Sequence, residues 1–599
     1  MCAPEVDLSA SPNAYLKTPI RNVVIINLES VRADVLPIST TFFEATESSL
    51  LTENLTAQYL TPFVNSLIPN SLVMNDASAT SSYTLKTLLS TFCGMYPLNV
   101  NFMEESRHDR HFYQQCLPQL VSTHFLEPQQ QHRWWQRAPA SRFRTAFFQT
   151  SENSFDHQGE EFSKMGWGKR FYAPDVLEFS PGAKKLGWFG PGDNDLLPLF
   201  FNWVDRTLAA KKQFLAGILT TSTHYPFPFP EGETRQEYVD NDLLNKYLNS
   251  IHMTDGFLEK LIRGFEERGV INETMFVMIG DHGHAFDDWN HKIIGALDNY
   301  LESGFRVPFI IYSPTLREGG RVGGKFTNMD ILPSVMDALI SSSQDASWDA
   351  VYTPLLSAKA GEDANLAAQG NETVSDNTDL TTSRKMADSP RAEENLLDLT
   401  QKDKRLLLES LLDRYEGISI FRRPLDPNHL PRITFHLDNP GNAHIILLQY
   451  PLKLVYDAIG EQTSLYDLSH DPQEWHDLLN IPYSGGGSTP PAWVDWTEED
   501  LTREFRFNWW ISGMDEFGSG RTAPDRDETE DAAEPENAKE NSESVGNLNL
   551  HEAFNWAENA FEILLGWSWI NRERYLTGKM EVDMLRSTAL GKLRDEKHG

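Results

Sequence analysis

The sequence predicts an α/β protein: a doubly wound, mostly parallel central sheet sandwiched by helices, with a small C-terminal antiparallel β subdomain and disordered insertions. Three observations predict it. Continuous apolar runs at 22–28 (NVVIINL), 214–221 (FLAGILTT) and 275–279 (MFVMI) read as strands buried on both faces. An amphipathic helix from about 239 leads into the strand at 275, the helix-then-strand rhythm of βαβ units. Late in the chain, RITFHL, AHIILLQY and LKLVYDA alternate as antiparallel strands do.

At 599 residues the chain exceeds one simple core. Composition divides it into an N-terminal tail (1–19), a large α/β domain (20–340), a Ser/Ala/Asp/Asn/Thr-rich insertion (341–410) and a small-sheet subdomain (411–483). An acidic segment (484–548) and a helical C-terminal segment with Trp and Leu stripes (549–599) follow. The insertion and the acidic segment are expected to be largely disordered, apart from a helix near 400–414 and an aromatic island, EFRFNWWISGM. The terminal helix has too weak a basic face for a membrane surface and is expected to pack on this protein or a partner.

The formal charge of −34 argues against nucleic acid as a partner. No stretch has the apolar length of a membrane span. The opening MCAPEVDLSASPN lacks the basic end and apolar core of a signal peptide, so the sequence assigns no compartment. Cys2, Cys93 and Cys116 suggest neither a disulfide framework nor a zinc-finger spacing. N-x-T triplets at Asn54, Asn272 and Asn371 are of a kind common by chance.

The first strand ends in Glu29-Ser30-Val31-Arg32-Ala33-Asp34. Ligands of open α/β sheets bind beyond the carboxyl ends of strands, so Glu29 is a candidate metal ligand. The bland alternative is a helix N-terminal Glu favoured by the dipole. Leu72 to Ala77 reads as a short strand, after which Thr84 stands where the helical run TLKTLLSTF begins. It is either an N-cap or a nucleophile whose anionic target the helix N-terminus would hold. FRTAFFQT (143–150) is a further strand, and Asp193 and Asp195 open the next helix as turn residues or substrate contacts. The strand at 214–221 ends in Ser222-Thr223-His224-Tyr225-Pro226-Phe227, which makes His224 a candidate substrate ligand or acid.

The strand at 275 ends in Gly280-Asp281-His282-Gly283-His284. Asp beside His offers one oxygen and one nitrogen to a metal, and the flanking glycines permit close backbone approach to an ion or phosphate. Asp287, Asp288 and His291 follow. GFRVPFIIYSP (304–314) is one more strand, and FTNMDILPSVMDALI (326–340) a turn and helix.

NVVIINLES, YTLKTLLSTFCGMYP, STHYPF, MFVMIGDHG and RVPFIIYSP occur in the order found in the sulfatase-like branch of the alkaline phosphatase superfamily, which this chain resembles over roughly 20–340 and 415–480. MDILPSVMDAL and LYDLSHDPQEWHDL are similar to later segments of that family. The C/S-x-P-x-R motif that yields formylglycine in sulfatases is absent. Tyr83-Thr84-Leu85 with Cys93-Gly94, and Glu29-Ser30, instead resemble the phosphoglycerol and lipoteichoic acid transferases, where a threonine is the nucleophile.

The resemblance implies an alkaline phosphatase-like fold and one divalent metal held by Glu29, Thr84, Asp281 and His282. Such ligands suit Mn²⁺ or Zn²⁺ ahead of Ca²⁺ or Mg²⁺. It implies catalytic roles for Thr84 as nucleophile, for Lys86 against anionic charge and for His224 on the substrate, with His284 and His291 completing a second metal or substrate site. The implied reaction is cleavage or transfer of a phosphate ester of a small molecule, lipid headgroup or glycan through a phospho-threonine. A sulfuric ester hydrolase and a non-catalytic binding protein on the same fold are the alternatives.

Overall fold

A computed structural model describes residues 15–46, 57–100, 105, 115–125, 140–167, 171–173, 185–187, 190–232, 234–297, 299–342, 415–422, 432–438, 444–457 and 462–479. Between 557 and 567 it also describes Ala557, Ala560, Phe561, Ile563, Leu564 and Trp567. The expectations for 343–410 and 484–548 lie outside these residues.

The main sheet has eight strands: β1 Asn22–Leu28, β2 Ser71–Ser78, β3 Phe143–Gln149, β4 Phe171–Tyr172, β5 Gln213–Leu219, β6 Thr274–Gly280, β9 Phe309–Tyr312 and β10 Gly320–Thr327. β7 (Ala285–Phe286) and β8 (Ile294–Gly295) form a separate short hairpin. The order in the main sheet is β10-β2-β9-β6-β1-β5-β3-β4. Neighbours run parallel except around β9, which is antiparallel to both β2 and β6.

β1 shows why its run is continuously apolar. Val23 and Ile25 enter the core on one face of the sheet, under helices α1 (Thr84–Cys93), α2 (Leu117–His124) and α5 (Ile331–Ser342). Val24, Ile26 and Leu28 enter the core on the other face, under α3 (Leu197–Ala209) and α4 (Asp242–Glu267). Both faces are covered, as a doubly wound sheet requires. β10 was not legible as a strand. Its sequence, GRVGGKFT, carries three glycines and lies at the sheet edge, where an apolar run is not needed.

The small sheet is β11-β12-β13-β14 (Thr434–Leu437, His444–Gln449, Leu452–Asp457, Gln462–Asp467), antiparallel throughout as its alternation predicted. Ala557, Ala560, Phe561, Leu564 and Trp567 recur at helical spacing and bury against it. Trp567 stacks on Phe435, with ring centroids 4.7 Å apart, and meets Tyr96 edge-on. For these positions, packing on the protein itself is what the structure shows.

The small sheet also braces the segment that leads into α1. Leu437 N donates to Thr80 O, Ser82 N donates to Leu437 O, and His436 Nδ1 lies 2.6 Å from Ala79 O.

The expectation for the cysteines is corrected. Cys93, the last residue of α1, is bonded to Cys116, which caps α2, and both are fully buried. A separation of 23 residues gave no framework signal in sequence, but the packing of α1 on α2 brings the two thiols together.

Candidate active site

Strand register alone sets the acidic pair side by side. Leu28 pairs with Gly280, so Glu29 and Asp281 leave adjacent parallel strands at the same level. The chain then turns sharply at Ser30, whose φ of 54° is left-handed, an uncommon and strained conformation for a residue with a side chain. That turn aims Ser30 N–H at Asp281 Oδ1 (2.9 Å) and lets Ser30 Oγ donate to Glu29 Oε1 (2.8 Å). Tyr247 from α4 holds the turn by donating to Ser30 O (2.9 Å). The buried Arg32 guanidinium pairs with Asp288 (2.6 Å) and Asp34 (2.7 Å), and so ties the loop after β1 to the loop after β6.

Glu29, Asp281 and His282 are all buried, and one ligand atom from each lies within 4.8 Å of the others. His282 Nδ1 lies 2.8 Å from Gly283 O, which fixes that nitrogen as the donor and leaves Nε2 as a lone pair. Nε2 faces Glu29 Oε1 at 3.5 Å and Asp281 Oδ2 at 3.7 Å. Asp281 Oδ2 is buried without a hydrogen-bond donor. Burial and the Glu29 carboxylate push the Asp281 carboxyl up to about 7. For His282, burial works against the charged form, but Asp281 and Glu29 outweigh it and raise the ring above its ordinary value.

Lone pairs converging in a buried site, with no lysine or arginine against them among the described residues, are costly unless a cation sits among them. The donor set of carboxylate, carboxylate and imidazole therefore fits a divalent metal.

Thr84 completes the group. It is the first residue of α1, one past the N-cap Tyr83, whose side chain makes no capping bond. The Thr84 hydroxyl donates to Glu29 Oε2 (3.2 Å) and lies 3.2 Å from His282 Nε2. The four residues expected to converge do so. The N–H groups of the first turn of α1 start beside this hydroxyl, without intrahelical acceptors.

A cavity of about 800 Å³ opens over the group, and its lining includes Thr84, Glu29, His282, His224, Tyr83 and Asp156. His224 stands on this wall as expected. Its Nδ1 lies 2.7 Å from Tyr225 O, so in the neutral ring Nε2 is the basic nitrogen. Burial lowers His224 below its ordinary value, favouring that neutral form. The geometry suits a proton acceptor better than the acid anticipated from sequence.

Lys86 is corrected. It is wholly buried under α1, away from the cavity lining, pairing with Glu105 (2.9 Å) and donating to Leu98 O and Val100 O. One turn position after Leu85, it points into the protein, where it offsets Glu105 rather than substrate.

His291 also lies outside the lining, with Nε2 2.7 Å from Gln473 O, while His284 lines the cavity among Tyr225, Phe227, Tyr247 and Phe286. The structure does not bring the two together in a second metal cluster among the described residues. Asp193 has the turn role: it accepts from Thr221 N (2.9 Å) and Ser222 N (3.2 Å) and steadies the end of β5.

The glycines around Asp281-His282 answer to packing rather than to a ligand. A Cβ at Gly283 would lie 2.0 Å from Ser303 O, and one at Gly280 2.6 Å from Val31 O. Sequence reasoning missed Ser30, Tyr83 and Asp156. Ser30 sat in the quoted Glu-Ser pair, but nothing in sequence signals its left-handed turn. The Tyr83–Asp156 hydrogen bond joins loops 73 residues apart.

Comparison with known proteins agrees with this picture. The sulfatase family model matches residues 21–341. The chain belongs to the sulfatase family, a family of ester-acting hydrolases and phosphotransferases.

It is 24% identical over 336 residues to lipoteichoic acid synthase-like YvgJ of Bacillus subtilis, covering 53% of this chain and 47% of that protein. It is 22% identical over 214 residues to lipoteichoic acid synthase 2 of the same organism, covering 34% and 32%. An arylsulfatase of Clostridium perfringens is 32% identical over 95 residues, or 15% of this chain and 19% of that protein. The chain thus spans less than half the length of these curated relatives. Among solved structures, the lipoteichoic acid synthase LtaP from Listeria monocytogenes is 16% identical, with a TM-score of 0.46 over 78% of this chain and 91% of that one.

Proposed function

We propose that the protein is a metal-dependent hydrolase or transferase that cleaves a phosphate ester through a covalent phospho-threonine on Thr84. The observation that carries this reading is the Thr84 hydroxyl, 3.2 Å from both Glu29 Oε2 and His282 Nε2 and at the N-terminus of α1.

Glu29, Asp281 and His282, with Thr84 as a fourth donor, would hold one divalent ion, Mn²⁺ or Zn²⁺ by their chemistry. When bound, that ion supplies Lewis acidity that lowers the pKa of a coordinated hydroxyl and neutralises charge on the phosphoryl oxygens.

The remaining work belongs to the chain. Glu29 Oε2 already accepts the Thr84 hydrogen and passes that proton towards solvent. Thr84 Oγ1 forms a bond to phosphorus as the ester P–O bond breaks, and the departing alkoxide takes a proton from water. The N–H groups opening α1 hold the phosphoryl oxygens. In the second half, His224 Nε2 accepts the proton of the attacking water or alcohol, and the Thr84 oxygen leaves phosphorus and regains a proton from solvent. Small-molecule, lipid-headgroup and glycan esters are all within this chemistry.

The absence of a formylglycine motif and the presence of an unmodified threonine favour phosphate over sulfate. The arylsulfatase similarity favours sulfate and is the second reading.

One screen separates them: bis(p-nitrophenyl) phosphate, p-nitrophenyl phosphate and p-nitrophenyl sulfate, each with Mn²⁺, with Zn²⁺ and after chelation. Turnover of a phosphate ester that disappears on chelation and in Thr84→Ala is expected. Chelation-resistant turnover, or sulfate cleavage alone, overturns the proposal. A purified protein that binds no divalent ion would favour a binding module.

A further inference from the structure

We infer that the cavity wall formed by Tyr83 and Asp156 recognises a positively charged alcohol, so that the ester cleaved is a phosphodiester bearing an ammonium group. The inference rests on the phosphate-ester reading above and names one alcohol of that ester.

Charge is the first ground. Glu29 and Asp156 line the cavity, and Asp281 lies beside Glu29. Among the described lining residues there is no lysine or arginine. Three carboxylates exceed the charge of one divalent ion before any substrate arrives. A dianionic monoester would add two negative charges to that excess. A zwitterionic diester adds none.

Placement is the second ground. Asp156 accepts a hydrogen bond from Tyr83 OH, the residue next to the nucleophile, and no cation pairs with it among the described residues. Tyr83 and Tyr225 both line the cavity and offer aromatic rings, whose faces attract alkylammonium groups. A carboxylate beside aromatic rings forms a receptor for an ammonium, not for a second phosphate oxygen.

The test compares p-nitrophenyl phosphocholine with its uncharged carbon isostere, p-nitrophenyl 3,3-dimethylbutyl phosphate, on the metal-loaded full chain. In both, Thr84 Oγ1 bonds to phosphorus as p-nitrophenolate leaves. Water then adds its oxygen to phosphorus and gives its proton to His224 Nε2, and the Thr84 oxygen departs and regains a proton from solvent. The expected kcat/KM ratio is about 10-fold in favour of the choline ester, as one well-placed charged contact gives. In Asp156→Asn, whose amide oxygen can still accept from Tyr83, the ratio is expected to fall to near one. A wild-type ratio near one, or a ratio that Asp156→Asn leaves unchanged, overturns the inference.

A second measurement stands apart from turnover. Phosphocholine should raise the melting temperature of the wild type more than 3,3-dimethylbutyl phosphate does, and Asp156→Asn should abolish the difference. Inertness towards both esters would sink the reaction proposed above and leave the charge preference to this melting comparison. Equal shifts from the two ligands would sink the preference itself.

Discussion

Two buried polar clusters, one beneath each sheet's working surface, solve the same problem in opposite ways. Around the small sheet, Lys453 Nζ sits 2.6 Å from Glu474 Oε1, 3.2 Å from Glu302 Oε1 and 2.6 Å from Tyr300 O. Burial pushes Glu302 up, but Lys453, Lys325 and Arg306 hold its carboxyl down at about 2. That cluster supplies its own cation. At the end of the main sheet, Glu29 and Asp281 face each other with only an imidazole between them, and the carboxyl of Asp281 rises to about 7. The first cluster carries a cation of its own against its carboxylates, whereas among the described residues the second has no lysine or arginine. A charge-balanced interior cluster reads as architecture, and an unbalanced one reads as a place for chemistry.

The comparison can be broken most decisively at Thr84. Thr84→Ala is expected to lower phosphodiester kcat by at least about 10³-fold, with little change in melting temperature, because the hydroxyl faces Glu29 and His282 in the site. Steady-state rates alongside differential scanning calorimetry check both halves.

Next in size is the charge-balanced cluster. Lys453→Met strands the buried Glu474 and the half-buried Glu302 and should cost about 3–5 kcal/mol by urea unfolding.

Asp281→Asn should do the reverse in chelated protein, gaining on the order of 1 kcal/mol at pH 8, since it removes one of two facing carboxylates. The sign has a pH signature. A carboxyl whose folded value lies above its unfolded value of 3.8 binds its proton more tightly when folded. The contribution of Asp281 to metal-free stability should therefore be full below pH 3.8 and be lost as pH rises through about 7, read as the difference between wild type and Asp281→Asn. A difference that slopes the opposite way would put a hidden cation in the apparently unbalanced cluster.

The last prediction concerns His224. Because burial lowers its value, its neutral form persists below pH 6.5, and the acid limb of kcat/KM should lie below that value. His224→Ala should remove that limb and slow turnover by about 10²-fold.

The contrast also explains what was readable in sequence. β1, β5 and β6 were legible because burial on both faces demands unbroken apolar runs. The end of each run then pointed to Glu29, His224 and Asp281 without any knowledge of register. Thr84 was legible by position at a helix start, and its hydroxyl faces Glu29 and His282. Lys86 was misread because a lysine two residues after a nucleophile looks catalytic in one dimension, while α1 turns it by about 200° into the interior. Balanced pairs such as Lys86–Glu105 and Lys453–Glu474 have no sequence signature, since each joins residues by tertiary packing alone. The antiparallel direction of β9 was hidden for the same reason: its apolar run is identical in kind to a parallel one.

The bond between Cys93 and Cys116 makes the history of the polypeptide matter. The helix that offers Thr84 at its first residue is stapled at its last, and such staples typically add about 2–4 kcal/mol. Synthesis where glutathione keeps sulfur reduced would yield molecules lacking this staple, so the choice of production host becomes part of the enzymology. Thiol counting under denaturing conditions would show which form a given preparation contains: one reactive sulfur per chain if the staple is closed, three if it is open.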